Sequence, residues 1–502
     1  MKMSRNNKLR VLAFDMGASS IRAITGSLDS NKKLELEILH RFPNEGVQVG
    51  DSLYWDVSRI WQEMVNSMKL YVKKYGSELD SIALDTWGVD FALLDENDEL
   101  IGKIHHYRDK RTDNIMDGMF KVVPKEEIFN QTGLQFMQVN TLVQLYAMIR
   151  KKSPFFAMTK TFLMLPDYFN FLLSGKKSSE YSIATTSQLY DPRNNDWAKN
   201  MLKRFGLNPE WFLEIIQPGT TLGNIKKELA NEIGLSPNTR VIAGACHDTA
   251  SAIAAVPVNM TDYKSGEWAY LSSGTWSIIG VELEKPIINE NVLKYNFTNE
   301  GGINGTIRFL KNITGLWLIQ ECKRIWDKNG LNLSWDDITQ QAKNAQEFQN
   351  FIDPMDDSFM NPLNMVDAIK SYCRNHDQAP PESVGQMSRA IFESLAFKYK
   401  QVMENLEDLI ENKIKILYVI GGGSQNDLLN QFTANLLNIP VVAGPIEATA
   451  IGNILIQALA LNKIKDVNEL RKIVQESFPI KKFMPKENEK WEKAYKRYLE
   501  IL

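Results

Sequence analysis

A chain of 502 residues with 44% hydrophobic and 24% charged types has enough apolar surface for several packed cores, which excludes a small binding module and a disordered chain and predicts two to four domains. Lys and Arg number 58 against 61 Asp and Glu, a net charge of −3, so there is no basic field to hold a nucleic acid. The three cysteines, Cys246, Cys322 and Cys373, lie too far apart for a zinc spacing or a disulfide framework and point to a reducing compartment.

In chain order, Met1–Arg10 is basic, but Asp15 and Arg22 break the apolar run that follows, so the segment does not read as a signal peptide. Arg10–Thr25, RVLAFDMGASSIRAIT, is an apolar strand running into a small-residue turn that holds Asp15. Asp56 caps a helix whose apolar face is Ile60, Trp61, Met64, Met68 and Tyr71, and Gly76 ends it. Ser81–Leu94, SIALDTWGVDFALL, reads as two short β runs folded into a hairpin at Trp87-Gly88. Arg240–Ala255, RVIAGACHDTASAIAA, repeats the strand, turn and aspartate of Arg10–Thr25, and Trp268–Val281 repeats the hairpin around Gly274. These pairs are weak evidence for two related halves.

Further on, Met387–Leu409 is a long amphipathic helix leading into the strand Lys415–Ile420, then Gly421–Gly423, then a helix from near Asn426. Ile439–Leu461 is the most apolar stretch, but Pro440 and Glu447 make it no spanning helix. From Lys481 a Lys/Glu-rich helix carries Trp491, Tyr495 and Tyr498 on one face. The alternation of strands and helices predicts an α/β architecture. The expected division is 8–257, 258–482 and a C-terminal helix, 483–502. A cytoplasmic protein without membrane or nucleic-acid partners is expected, with monomer and homodimer both open.

Two glycine turns follow strands, Gly17 in DMGASS and Gly421–Gly423, and such turns let backbone N–H groups approach phosphate oxygens. A tight turn is the competing explanation for either one, although three consecutive glycines favour a ligand. GxxxxGK[ST], GxGxxG and HExxH are absent, which disfavours P-loop, Rossmann and zinc-hydrolase chemistry. Asp15, Asp85, Asp90 and Asp248 sit at strand ends or turns in apolar surroundings, where a carboxylate is costly unless paired or functional. Asp248, flanked by His247 and Thr249 before a run of small residues, is the best candidate to accept a hydroxyl proton during phosphoryl transfer.

The blocks DMGASS, DTWGVDF, YRDKRT, LPDYFNFLLSG, ATTSQL, HDTASA, LSSGTWS, TNEGG, LKNITGLWLIQ, GGGSQNDLLNQ and AGPIEATAIGN occur in that order over about residues 10–480. Together they resemble the FGGY carbohydrate kinases. The resemblance implies two actin-like, ribonuclease-H-like domains with an interdomain cleft, ATP as co-substrate with Mg²⁺, and transfer of the γ-phosphoryl group to the 1-hydroxyl of L-rhamnulose. By resemblance, Asp248 is the general base. Ala18, Ser19, Ser20, Ile21 and Arg22 match the segment that meets the ATP phosphates, and Asp15 matches a carboxylate near the metal. Gly88, His247, Thr249 and Asn312 match sugar contacts, and Thr275, Gln320 and Gly422 match nucleotide contacts. Ile21 stands where many relatives carry glycine, which stiffens the loop. Trp87 and Tyr107 suit either a wall for the sugar or buried packing. The rival readings are a kinase for L-fuculose or D-xylulose, and a non-catalytic actin-like nucleotide- or sugar-binding protein, whose mark would be loss of the base.

Overall fold

The computed structural model describes residues 8–360, 362–486 and 488–501. The basic segment therefore lies outside the described residues as far as Asn7. Two compact units emerge: Met1–Ala255 with Glu282–Phe309 and Ala448–Ser477, and Val256–Val281 with Leu310–Glu447 and Phe478–Leu502. These differ from the contiguous segments 8–257, 258–482 and 483–502, because the chain returns twice to the first unit to complete its packing.

The first unit is built on a six-stranded sheet of β1 (Leu9–Met16), β2 (Ser20–Leu28), β3 (Leu34–Pro43), β4 (Ser81–Thr86), β5 (Thr220–Asn224) and β6 (Arg240–Ala243), in the order β5-β6-β4-β1-β2-β3. β1, β4 and β6 are parallel, while β2, β3 and β5 are antiparallel to their neighbours. β1 and β4 are buried almost throughout, on both faces, as parallel strands covered by helices must be, even though Ser81, Asp85 and Thr86 make half of β4 polar. Asp56 caps the helix Val57–Tyr75 by accepting from the Arg59 N–H, and Ile60, Met64, Met68 and Tyr71 are buried as their spacing predicts.

Ser81–Leu94 is not the expected hairpin: β4 stays in the main sheet, whereas Phe91–Leu94 pairs with Thr161–Met164. The divergence starts at Val89, a β-branched residue at φ 69°. With the Asp90 N–H donating to the Gly88 carbonyl, Val89 forms a γ-turn that redirects the chain. Buried Asp90 then anchors the new direction by accepting from Trp55 Nε1 (2.6 Å), Trp87 Nε1 (2.8 Å) and Gln144 Nε2 (3.0 Å).

The other sheet comprises β7 (Trp268–Ser273), β8 (Trp276–Leu283), β9 (Thr298–Gly301), β10 (Ile307–Thr314), β11 (Ile416–Ile420), β12 (Val441–Ala443) and β13 (Lys481–Phe483), in the order β9-β10-β8-β7-β11-β12-β13. Its parallel core is β7-β11-β12, with β8 and β13 antiparallel to it. The hairpin at Gly274 forms as expected. The two sheets therefore share one plan, a hairpin followed by two parallel strands and an antiparallel edge strand. The duplication matches Arg10–Thr25 with Trp268–Leu283. It does not match Arg10–Thr25 with Arg240–Ala255, whose strand runs into the helix Asp248–Ala254.

Within the second unit, the helix Val384–Ile410 starts with a capping box between Ser383 and Gln386. The C-terminal helix Asn488–Leu499 buries Trp491, Tyr495 and Tyr498; the two tyrosines stack with Phe397 and Trp491 lies tilted against it. In the first unit, the helices Asp248–Ala254 and Ala448–Ala460 meet almost backbone to backbone: a Cβ on Gly452 would lie 1.8 Å from the Ser251 carbonyl oxygen. This crossing holds the helix that begins at Asp248. Gly452→Val should lower the urea midpoint by the equivalent of about 3 kcal/mol or more, since the obstructing atom is backbone and cannot rotate away. Chemical denaturation followed by tryptophan fluorescence measures the effect.

Candidate active site

In the first unit the candidate residues gather at the carboxyl ends of β1, β4 and β6, where ligands bind in open α/β sheets. Parallel pairing sets Asp15 directly beside Asp85, and antiparallel pairing sets Asp15 opposite Arg22, with which it forms an ion pair. Asp85 is fully buried. Its Oδ2 accepts from Asn453 Nδ2 (2.6 Å), Asn453 Oδ1 accepts from Gln457 Nε2 (2.9 Å), and Gln457 Oε1 accepts from Ser81 Oγ (2.7 Å). Asp85 Oδ1 has no hydrogen-bond partner among the described residues. Burial, then the Asp15 charge, push the Asp85 carboxyl well above the ordinary carboxylate range; the Asp248 charge adds to this, while Asn453 and Arg22 oppose it.

Asp248 opens its helix, half-buried, and its Oδ1 accepts from Thr249 Oγ1 at 3.0 Å. His247 Nε2 lies 3.4 Å from the same Oδ1. On its other side, His247 Nδ1 is 3.0 Å from Arg308 Nη2 and 3.4 Å from Glu300 Oε2. The backbone behind this cluster is fixed by a buried carboxylate, since Glu180 Oε2 accepts from the Cys246 N–H (3.1 Å) and from Ser182 Oγ (2.7 Å), and Ser182 Oγ accepts from the His247 N–H (3.1 Å). Gly88 is packed against Thr186, at the γ-turn that follows β4.

The turn from β1 to β2 consists of Gly17, Ala18 and Ser19, braced where Asn44 donates from Nδ2 to the Gly17 carbonyl (2.9 Å) and from its N–H to the Ser19 carbonyl (3.1 Å). Ser20 and Ile21 lie within β2, and the Ile21 side chain is buried in the core. The isoleucine therefore stiffens a strand, not the loop. Trp87 is nearly buried against the Trp55 ring at 4.2 Å between centroids, which favours packing, while Tyr107 stays half-exposed beside His106.

In the second unit, Thr275 and Gln320 are neighbours, with Thr275 Oγ1 donating to Gln320 Oε1 at 3.1 Å. The Thr275 carbonyl accepts from the N–H groups of Gly315 and Trp317, tying the β7–β8 turn to the start of the helix Trp317–Lys328. Asn312 is half-buried in β10. The triple glycine divides its work. Gly421 takes φ 82°, a Cβ on Gly423 would lie 1.9 Å from Ser273 Oγ, and Gly422 is exposed with nothing within 4 Å of an added Cβ. Close approach thus occurs at Gly423, against the protein's own strand, and Gly422 is the glycine left facing open space.

Sequence reasoning missed Glu300, Arg308, Asn453 and Gln457 as supporting groups. TNEGG and AGPIEATAIGN contain Glu300 and Asn453, but no local spacing reveals that they meet HDT and Asp85.

Family models match most of this chain: the N-terminal domain of the FGGY family of carbohydrate kinases over residues 10–255, and the C-terminal domain over residues 269–461. The chain belongs to the FGGY family of carbohydrate kinases. Proteins named rhamnulokinase from Bacteroides thetaiotaomicron and Halalkalibacterium halodurans are each 42% identical to this FGGY kinase, over 97% and 95% of its length and 98% and 99% of theirs. Among solved structures, a gluconate kinase from Lactobacillus acidophilus shares the fold with TM-score 0.80 at 17% identity, covering 98% of this chain and 97% of that one. A Plasmodium falciparum glycerol kinase solved with ADP does so with TM-score 0.76 at 15% identity, covering 98% and 97%. The chain is thus an ATP-dependent carbohydrate kinase.

Two outcomes test the geometry of this FGGY kinase. Between its ordinary value of 3.8 and its raised native value, Asp85 holds a proton in the folded state that the unfolded chain releases, so stability falls as pH rises through that window. Asp85→Asn removes this penalty. Without divalent cations, its urea midpoint should exceed that of the wild type at pH 8, and the advantage should shrink toward pH 4. Gly423→Ala should lower the thermal midpoint because of Ser273, whereas Gly422→Ala should leave it unchanged.

Proposed function

We propose that this FGGY kinase transfers the γ-phosphoryl group of ATP to the 1-hydroxyl of L-rhamnulose, giving L-rhamnulose 1-phosphate, with Asp248 as the general base. The observation that carries the mechanism is the placement of Asp248: half-buried at a helix start, with Thr249 donating to Oδ1 and His247 Nε2 3.4 Å from that same oxygen, so that Oδ2 is left to take the hydroxyl proton. The choice of sugar rests on likeness to relatives named rhamnulokinase.

In this reading Gly88, His247, Thr249 and Asn312 hold the ketose. The turn N–H groups of Ala18 and Ser19, with Ser20, Ile21 and Arg22 behind them, meet the ATP phosphates. Thr275, Gln320 and Gly422 hold the rest of the nucleotide, and the exposure of Gly422 suits a flat group lying over it. Mg²⁺ fits at Asp15 and Asp85, adjacent carboxyl groups that include one oxygen without a partner among the described residues, Asp85 Oδ1. Among the described residues no group of three or more His, Cys, Asp or Glu forms a cage for a metal ion, so phosphate oxygens would supply the remaining ligands. Bound there, the ion supplies charge neutralisation on the phosphates. Arg22, ion-paired to Asp15, orients that carboxylate.

Phosphoryl transfer depends mainly on alignment and charge stabilisation, so loss of the base should cost turnover far more than sugar binding. Asp248→Asn should bind L-rhamnulose with near wild-type affinity in calorimetry while kcat falls about 10²-fold or more. A near-normal kcat in that variant removes Asp248 from the mechanism. A panel of ketoses assayed with ATP and Mg²⁺ for ADP release should favour L-rhamnulose over L-fuculose and D-xylulose, and preference for either of those would overturn the proposed substrate.

A further inference from the structure

Behind His247 lies an ion pair that the phosphoryl-transfer scheme does not use. Arg308, on β10, is completely buried. Its Nε donates to the Gly301 carbonyl at 2.8 Å, its Nη2 stands 3.2 Å from Glu300 Oε2, and the same Nη2 is 3.0 Å from His247 Nδ1. Burial of an arginine at a β-strand position is expensive unless its charge is matched. Glu300, also buried, supplies the match.

A guanidinium carries only donors, and it remains protonated. Its approach to Nδ1 is therefore favourable only if Nδ1 offers a lone pair, which requires the neutral imidazole with its proton on Nε2. That nitrogen faces Asp248 Oδ1 at 3.4 Å. The opposite tautomer would set two donors against each other at Nδ1 and two lone pairs against each other at Asp248. Glu300 is the competing partner for Nδ1, but it lies farther away than Arg308, at 3.4 Å against 3.0 Å.

The geometry assigns Arg308, held in place by Glu300, as a positioning residue that fixes His247 in the Nε2–H tautomer, so that the imidazole presents a donor beside Asp248. The functional consequence rests on the proposed role of Asp248 as base. With the Thr249 hydroxyl bonded to Oδ1 and a protonated His247 Nε2 standing 3.4 Å from the same oxygen, the carboxylate keeps one rotamer and receives the sugar proton on Oδ2. Neither Glu300 nor Arg308 touches the reacting atoms in this scheme.

The test is nitrogen-15 NMR of the full-length protein labelled at histidine, with the His247 signals identified by their loss in His247→Gln. At neutral pH the wild type should show a protonated Nε2 and a bare Nδ1. In Arg308→Met the proton should move to Nδ1 facing Glu300, or both nitrogens should be protonated, and kcat should fall about tenfold with a smaller change in KM. A wild-type His247 already protonated at Nδ1 overturns the assignment, and because this readout needs only the wild type, it stands even if Arg308→Met fails to fold. A folded Arg308→Met with unchanged tautomer and kcat overturns it equally. The tautomer is read without turnover, so failure of this inference is distinguishable from failure of the Asp248 mechanism, which the rate of Asp248→Asn reports.

Discussion

Asp15 and Asp85 stand side by side, buried, at the ends of two adjacent parallel strands, and Asp248 opens the helix that follows the third. Like charges so placed repel one another, and burial removes the water that would screen them. Most of the local structure answers this constraint. Arg22 neutralises Asp15 across the β1–β2 pair, Asn453 donates to Asp85 from the helix Ala448–Ala460, and Thr249 donates to Asp248. Compensation stops short of completion at Asp85 Oδ1, which has no hydrogen-bond partner among the described residues.

The segments that return to the first unit supply polar partners to this region. Asn453 and Gln457 are supplied by residues 448–477, and Glu300 and Arg308 by residues 282–309. Each return segment brings a polar partner that the first 255 residues lack at that depth. Gly452, which crosses Ser251 closely, immediately precedes Asn453, whose amide donates to Asp85. Behind HDT, Glu180 and Ser182 act on backbone N–H groups and fix the loop before Asp248 begins its helix.

The two sheets repeat a plan and differ in what they place at equivalent points. The β1–β2 turn follows an aspartate, whereas the β7–β8 turn follows Ser273 and carries Thr275, which bonds Gln320. In the second unit, closeness is achieved with glycine: Gly423 lies against Ser273 where any side chain would collide. The shared plan thus places an adjacent acidic pair at the strand ends of one sheet and neutral side chains at the corresponding turn of the other.

The amino-acid order alone determined the α/β class, the capped helices, the hairpin at Gly274, the family and the candidates Asp15, Asp85 and Asp248, because periodicity, caps and short motifs are local signals. It misjudged Ser81–Leu94, because a strained γ-turn at Val89 is stabilised by contacts from Thr186, Thr141 and Gln144 that lie far along the chain. It also paired Arg10–Thr25 with the wrong partner segment, since strand-turn-strand and strand-turn-helix look alike until the following element is placed. Only the tertiary structure decided that Asp85 stands beside Asp15, that Asn453 reaches it across 368 residues of chain, and that Arg308 stands behind His247. Those pairings are set by strand register and helix crossing, which depend on how distant segments fill a common core and leave no mark in local spacing.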